Sequence, residues 1–213
     1  SNRVVGAAGF DGLVVEMAQR GVVTARYGDA VRVTAAAGED WDAFVERCVA
    51  AGWQGLECLA GIPGRVGASP IQNVGAYGQE VAEMIRAVRV LDRQRLETRA
   101  LTPDECAFAY RQSAFKRDPT RFVVLAVTFA LRPGAAPAIR YAELRRALAS
   151  RAAPDLRAVR ETVLALRRRK SMVLDPADEN GRSAGSFFTN PVVDAAAAER
   201  VVDAALTEGL VEA

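Results

Sequence analysis

The chain is 213 residues long, half of them hydrophobic and a quarter charged; this is room for about one domain and part of another, with a core that needs no disulfide or metal staple, and it excludes intrinsic disorder. Its 28 cations, all arginine except Lys116 and Lys170, face 26 anions, and a net charge of +2 is too weak a field to gather nucleic acid or an anionic membrane surface. Histidine is absent, which excludes His-based triads, His-ligated zinc or haem, and a histidyl flavin link.

Cys48, Cys58 and Cys106 are odd in number and show no C-x-x-C spacing, so neither a disulfide frame nor a thiolate metal site is expected, and a reducing cytoplasm is the default compartment. The apolar stretch at residues 123–131 is far short of the roughly 20 residues that span a bilayer, and the amino end lacks a secretory pattern. The chain opens on Ser1-Asn2 rather than methionine and is expected to begin inside something longer. Between residues 13 and 33, three β-branched runs (Leu-Val-Val-Glu-Met, Val-Val-Thr-Ala-Arg and Val-Arg-Val-Thr) are separated by Arg20-Gly21 and Tyr27-Gly28-Asp29, which predicts an antiparallel meander. From Trp41 the apolar set becomes Phe44, Val45, Cys48 and Val49, with Asp40 placed to cap the start and Gly52 beyond the end; this predicts an amphipathic helix.

Residues 52–78 carry seven glycines and two prolines, a density that forbids a long regular element and suits close approach of backbone to a ligand. Further on, residues 85–92 alternate as a strand, Thr102-Pro103-Asp104-Glu105 has capping-box spacing with proline at the first helical position, and residues 121–131 read as a buried strand. Arg132-Pro133-Gly134-Ala135-Ala136-Pro137 marks a break. Residues 141–150 and 154–169 are helical in composition, the second with Leu156, Val159, Val163 and Leu166 along one side, and Asp194 opens a last alanine-rich helix.

Within the glycine-rich segment, Gly61-Ile62-Pro63-Gly64-Arg65-Val66-Gly67-Ala68-Ser69 spaces its glycines three apart and runs on through Asn73-Val74-Gly75-Ala76-Tyr77-Gly78. That is neither the Rossmann G-x-G-x-x-G nor a Walker A loop. Bare backbone can still cradle a flat ring or a pyrophosphate on N–H groups, and on spacing alone a ligand cradle and an ordinary surface loop both remain open.

The full wording of this run resembles the flavin-binding loop of the UDP-N-acetylenolpyruvoylglucosamine reductases. Three more segments agree, in the family's order: Ser1-Asn2 with the end of its pyrophosphate loop, Phe108-Ala109-Tyr110-Arg111-Gln112-Ser113-Ala114-Phe115-Lys116 with its central catalytic segment, and residues 185–193 with its Gly-Ser-Phe-Phe-x-Asn-Pro-Val-Val signature. The resemblance implies non-covalent FAD bound by Ser1, Asn2, Ile62, Pro63, Gly64, Gly67, Ala68, Ser69, Asn73, Gly75 and Ala76. NADPH would be the reductant, and reduction of UDP-N-acetylglucosamine enolpyruvate to UDP-N-acetylmuramate, a peptidoglycan precursor, the reaction. Arg111 matches the arginine that meets the substrate carboxylate and Ser186 the proton donor. Tyr77, Tyr110, Tyr141, Lys170 and Asn190 match or adjoin positions that hold the UDP-sugar.

Each of these residues also has a plainer reading. A surface arginine is the default in so arginine-rich a chain, Lys170 ends a cationic run suited to a helix C-terminus, and tyrosines pack; the surrounding motif is what favours the functional reading. The family's amino-terminal glycines and its carboxyl-terminal catalytic glutamate lie outside this sequence, and nothing around Glu212 resembles the latter motif. The chain by itself is therefore expected to be inactive. The expected fold is α+β: a flavin-binding domain of the vanillyl-alcohol-oxidase type over residues 1–131, and part of a substrate domain over residues 132–213. The complete protein is expected to be a monomer that binds a UDP-sugar and neither nucleic acid nor membrane. The alternatives are another flavin oxidoreductase of the same superfamily and a non-catalytic nucleotide-binding module.

Overall fold

The computed structural model describes residues 6–181 and 189–210. In chain order it contains strands β1 (Val22–Tyr27) and β2 (Ala30–Ala36), helix α1 (Trp41–Ala50), the two-residue strands β3 (Trp53–Gln54), β4 (Gly75–Ala76) and β5 (Gln79–Glu80), and strands β6 (Ile85–Asp92) and β7 (Glu97–Leu101). Two short helices follow, α2 (Pro103–Cys106) and α3 (Ala114–Arg117), then the long strand β8 (Phe122–Pro133) and helices α4 (Ala142–Ala147), α5 (Leu156–Arg168) and α6 (Ala195–Thr207). This is the α+β mixture that the sequence periods predict.

The main sheet runs β1-β2-β8-β6-β7, antiparallel throughout, with β3 paired to the far end of β8. That extra pairing, Trp53 opposite Pro133 and Gln54 opposite Arg132, carries β8 two residues into the predicted break. Only two of the three expected meander runs form a ladder. Residues 13–17 are not in a strand, and Leu13, Val14 and Val15 are exposed; β-branched composition makes a strand only where the run pairs with a neighbour, and among the described residues this one pairs with none. The stretch that follows is pinned instead at Gly38, whose N–H donates to Gln19 O at 3.1 Å. A Cβ on Gly38 would lie 2.5 Å from that same carbonyl.

The predicted caps form. Asp40 accepts from the Ala43 N–H at 3.0 Å, and Thr102 and Glu105 make the reciprocal box ahead of α2, with proline leading it. Helix α1 buries Trp41, Phe44, Val45, Cys48 and Val49; the Phe44 and Phe129 rings lie 5.2 Å apart against the sheet. Helices α4 and α5 join that same core through Leu144, Leu148, Val159, Val163 and Leu166. Arg160 on α5, only 13% exposed, pairs with Asp42 on α1 at 2.9 Å. Helix α6 starts on the predicted cap, Asp194, and buries none of its residues.

All three thiols are buried, and burial pushes Cys48, Cys58 and Cys106 from 9.0 up to about 12. The folded chain thus keeps protons that the unfolded chain releases, so stability is whole below the unfolded value and falls as pH rises from about 9 towards 12, by about 1.4 kcal/mol per pH unit for each thiol. Urea midpoints of the intact protein are expected to drop between about pH 8 and about pH 10.5. Replacing the three cysteines by alanine should flatten that dependence.

Candidate functional site

The glycine-rich segment is held from beneath by α1 and the turn before it. The Trp41 indole N–H donates to Leu59 O at 2.9 Å, Asp42 Oδ1 accepts from Gly61 N–H at 2.6 Å, and the Trp41 N–H donates to Gly64 O at 3.0 Å. The Val66 and Gly67 amides reach Glu39 O and Ala37 O, both at 2.9 Å. Gly67 has no room for a side chain, because its Cβ would sit 2.6 Å from Ala37 Cβ and 3.1 Å from Ala37 backbone. Gly67→Ala is therefore expected to cost about 1–3 kcal/mol and to lift the loop off β2. Denaturant titration of the intact protein checks the first effect and FAD affinity the second.

Gly64 is bare for the opposite reason. Its φ is +130°, and a Cβ there would meet no atom of the described residues within 4 Å. Among the described residues, the amides of Ile62, Gly64 and Arg65 have no protein acceptor. Ser69 is buried, with its hydroxyl donating to Val66 O at 2.8 Å. Unpaired donors beside a side-chain-free backbone suit an anion or the polar edge of a planar ring.

Strands β4 and β5 form a hairpin whose two turn residues, Tyr77 and Gly78, both have positive φ, +49° and +77°. This is the I′ geometry, and it presents the Tyr77 ring at the tip, edge-on to Tyr141 at 5.6 Å. Burial raises the Tyr77 phenol above its ordinary value. Beyond it, Lys170 pairs with Glu143 on α4 at 2.8 Å, and that hydrogen bond holds the ammonium protonated above its usual range. Arg167, at the end of α5, has a buried Nε without a partner among the described residues, and burial lowers its pKa.

Arg111 meets the hairpin at its Gly75–Glu80 end, away from the turn. Its Nη2 donates to Gly75 O at 2.7 Å, and its Nη1 reaches Asn73 O at 3.3 Å and Glu80 Oε1 at 3.4 Å. The approach requires glycine at 75, where a Cβ would lie 2.6 Å from Nη1. Nε–H and one Nη2 hydrogen are left without a protein acceptor among the described residues, an edge that can take a carboxylate. The Tyr110 ring lies 5.0 Å from the guanidinium carbon. Arg111 itself has φ +53°, a conformation that costs a residue with a Cβ about 1–2 kcal/mol and persists only where the surroundings enforce it.

The structure thus brings Gly75, Ala76, Tyr77, Tyr110, Arg111, Tyr141 and Lys170 around one hairpin, while Ile62, Pro63, Gly64, Gly67, Ala68 and Ser69 line the loop leading to it. Asn73 is buried and its side chain is spent on protein partners. Asn190 is exposed and makes no side-chain hydrogen bond to the described residues. Ser1, Asn2 and Ser186 lie outside the described residues. Sequence reading missed Glu80, Glu143 and Arg167, since an acid after a loop or in a helix carries no signal until its cationic partner is located. Among the described residues, no group of three His, Cys, Asp or Glu side chains could hold a metal, and no helix is long and apolar enough to cross a membrane.

Residues 1–95 match the family described as FAD binding domain. Over 204 residues, 94% of this chain and 52% of the relative, the chain is 55% identical to the UDP-N-acetylenolpyruvoylglucosamine reductase of Nocardia farcinica. It is 51% identical to that of Salinispora arenicola over 213 residues, 98% of this chain and 58% of the relative. The chain spans about half the length of the curated relatives it matches. The crystal structure of UDP-N-acetylenolpyruvylglucosamine reductase (MurB) from Thermus caldophilus superposes with a TM-score of 0.50 at 26% identity, covering 73% of this chain and 47% of that one.

Proposed function

We propose, from the premise that this chain belongs to the UDP-N-acetylenolpyruvoylglucosamine reductase family, that the protein containing it reduces UDP-N-acetylglucosamine enolpyruvate to UDP-N-acetylmuramate in the cytoplasm, as a monomer, with NADPH and FAD. The observation that carries the reading is the Arg111 guanidinium seated on Gly75 O with one edge unspent. FAD, when bound, supplies the group that accepts a hydride from NADPH and gives it up to the enolpyruvyl carbon. The residues present fit that cofactor: unpaired amides and the open Gly64 backbone can meet its polar edges, with Ile62, Pro63, Gly67, Ala68, Ser69, Gly75 and Ala76 as the lining and Asn73, its side chain spent inside the protein, supporting the loop from within; the family resemblance assigns Ser1 and Asn2 to the pyrophosphate.

Adding hydride at C3 of the enolpyruvyl group places negative charge on C2 and its carboxylate. Arg111 neutralises that carboxylate through its free edge, worth most where water is excluded. The Ser186 hydroxyl gives its proton to C2, a weak acid adequate for so basic a carbon. Tyr77, Tyr110, Tyr141, Lys170 and Asn190 hold the nucleotide sugar. We divide the protein into a flavin-binding part and a substrate part. The break at residues 132–137 supports a boundary at Leu131, whereas the burial of α4 and α5 in the shared core favours one after Arg168.

The test is anaerobic mixing of the intact flavoprotein. NADPH should bleach the flavin and the enolpyruvyl nucleotide sugar should restore its colour; restoration by oxygen or not at all would point to an oxidase or a nucleotide sensor. Residues 1–213 alone are expected to show no NADPH-dependent turnover, because they carry about half of the relatives' length.

A further inference from the structure

Arginine is a long, rotatable side chain, and it aids a reaction only if it is already where charge develops. Arg111 is held there by residues that face away from the open edge. It lies in a tight turn closed by two reciprocal bonds, Ala109 N–H to Gln112 O at 3.1 Å and Gln112 N–H to Ala109 O at 3.0 Å. Two buried side chains tie that turn to the glycine loop: Ser113, whose hydroxyl donates to Ile71 O at 2.5 Å, and Asn73, itself 1% exposed. Its Nδ2 donates both to Ala109 O at 3.0 Å and to Glu80 Oε2 at 2.9 Å, and its Oδ1 accepts from the Ala82 N–H at 3.1 Å. Both amide hydrogens are therefore used inside the protein. The other oxygen of the same Glu80 carboxylate meets Arg111 Nη1, and the Asn73 carbonyl is a further acceptor for that nitrogen.

We propose that Asn73 and Glu80 are positioning residues for Arg111. Asn73 bolts the turn that carries Arg111 to the glycine loop and orients the Glu80 carboxylate, and Glu80 fixes the guanidinium so that its Nε edge faces outward. This role rests on the reductase reading, in which Arg111 meets the substrate carboxylate. It differs from cofactor contact, because the side chain of Asn73 has no free hydrogen to offer a ligand. Only asparagine supplies two donors and an acceptor in so short a side chain while tolerating φ +45°.

The test uses the intact FAD-bound protein and follows its two half-reactions separately. Asn73→Asp keeps the acceptor for Ala82 but loses both donors and sets a second carboxylate against Glu80. Reoxidation by the enolpyruvyl substrate should slow about thirtyfold to a hundredfold, while flavin reduction by NADPH stays within about twofold. Glu80→Gln, the gentler variant in case Asn73→Asp folds poorly, should slow the same step about fivefold to twentyfold. In an Arg111→Ala background neither change should cost more than about twofold further, because residues that act through Arg111 have nothing left to position. Losses that persist in full in that background, or both single variants within about twofold of the parent, would overturn the proposal.

Amide hydrogen exchange gives a readout free of turnover: Asn73→Asp should speed exchange at Gln112 while leaving β6 and β8 protected. If the reduced flavin of the parent protein ignores the enolpyruvyl compound, the reductase reading fails. Exchange then decides the tether alone: faster exchange at Gln112 supports it and unchanged exchange refutes it.

Discussion

Arg111→Ala in the intact protein is expected to slow reoxidation of the reduced flavin by the enolpyruvyl substrate about a thousandfold, the upper range for removing one group that stabilises developing negative charge. Flavin reduction by NADPH should change by less than about threefold, since that step places no carboxylate on Arg111. Lysine should recover little. A single ammonium can reach either the carbonyls of Asn73 and Gly75 or a substrate oxygen, whereas the guanidinium bonds the former and still presents Nε–H and one Nη2–H. Backbone strain does not confound the comparison, because the +53° φ of residue 111 burdens arginine, alanine and lysine alike. Stopped-flow traces of the two half-reactions check it, and equal slowing of both would show that the substitution damages the fold instead of the acceptor step.

Trp41→Ala is the second large effect, and it acts on stability. The ring is 2% exposed and packs against both Phe44 and Phe129, each 6.2 Å away by ring centres, so its removal leaves a cavity worth about 3–5 kcal/mol. The indole N–H also fastens Leu59 O at 2.9 Å, and that buried carbonyl would lose its donor, adding about 1 kcal/mol. Since Leu59 and Gly64 are both tied to Trp41, the glycine loop should loosen before the sheet does. Urea unfolding should show a lower midpoint, and FAD release should precede the main transition. Trp41→Phe should retain much of the stability and still weaken FAD binding, which separates the packing role from the tether.

Local rules made much of this fold readable. Asp40, Thr102 and Asp194 announce three helix starts because a short side-chain acceptor next to a helical apolar pattern is a local event. Strand β6 and the stripe on α5 follow from periods of two and about three and a half. Residues 13–17 misled because a β-branched run states only a local preference, whereas a ladder also needs an edge to pair with. In the site, glycines 67 and 75 stood out as glycines, but their reasons, the contact with Ala37 and the approach of Arg111, belong to distant segments. The positive φ at Tyr77 and Arg111 left no trace in the sequence, since neither residue favours it; a tight hairpin imposes the first and a tethered turn holds the second. Glu80 and Glu143 were invisible until their cations were placed beside them.

The account depends on the bare backbone of residues 61–78 facing the cofactor while Arg111 faces the substrate across it. A crystal structure of the intact protein with FAD and the enolpyruvyl nucleotide sugar tests this most directly. The flavin should lie along that loop, with the substrate carboxylate about 2.7–2.9 Å from Nε and Nη2 of Arg111. A carboxylate paired with a different cation, or a flavin seated away from the loop, would contradict it.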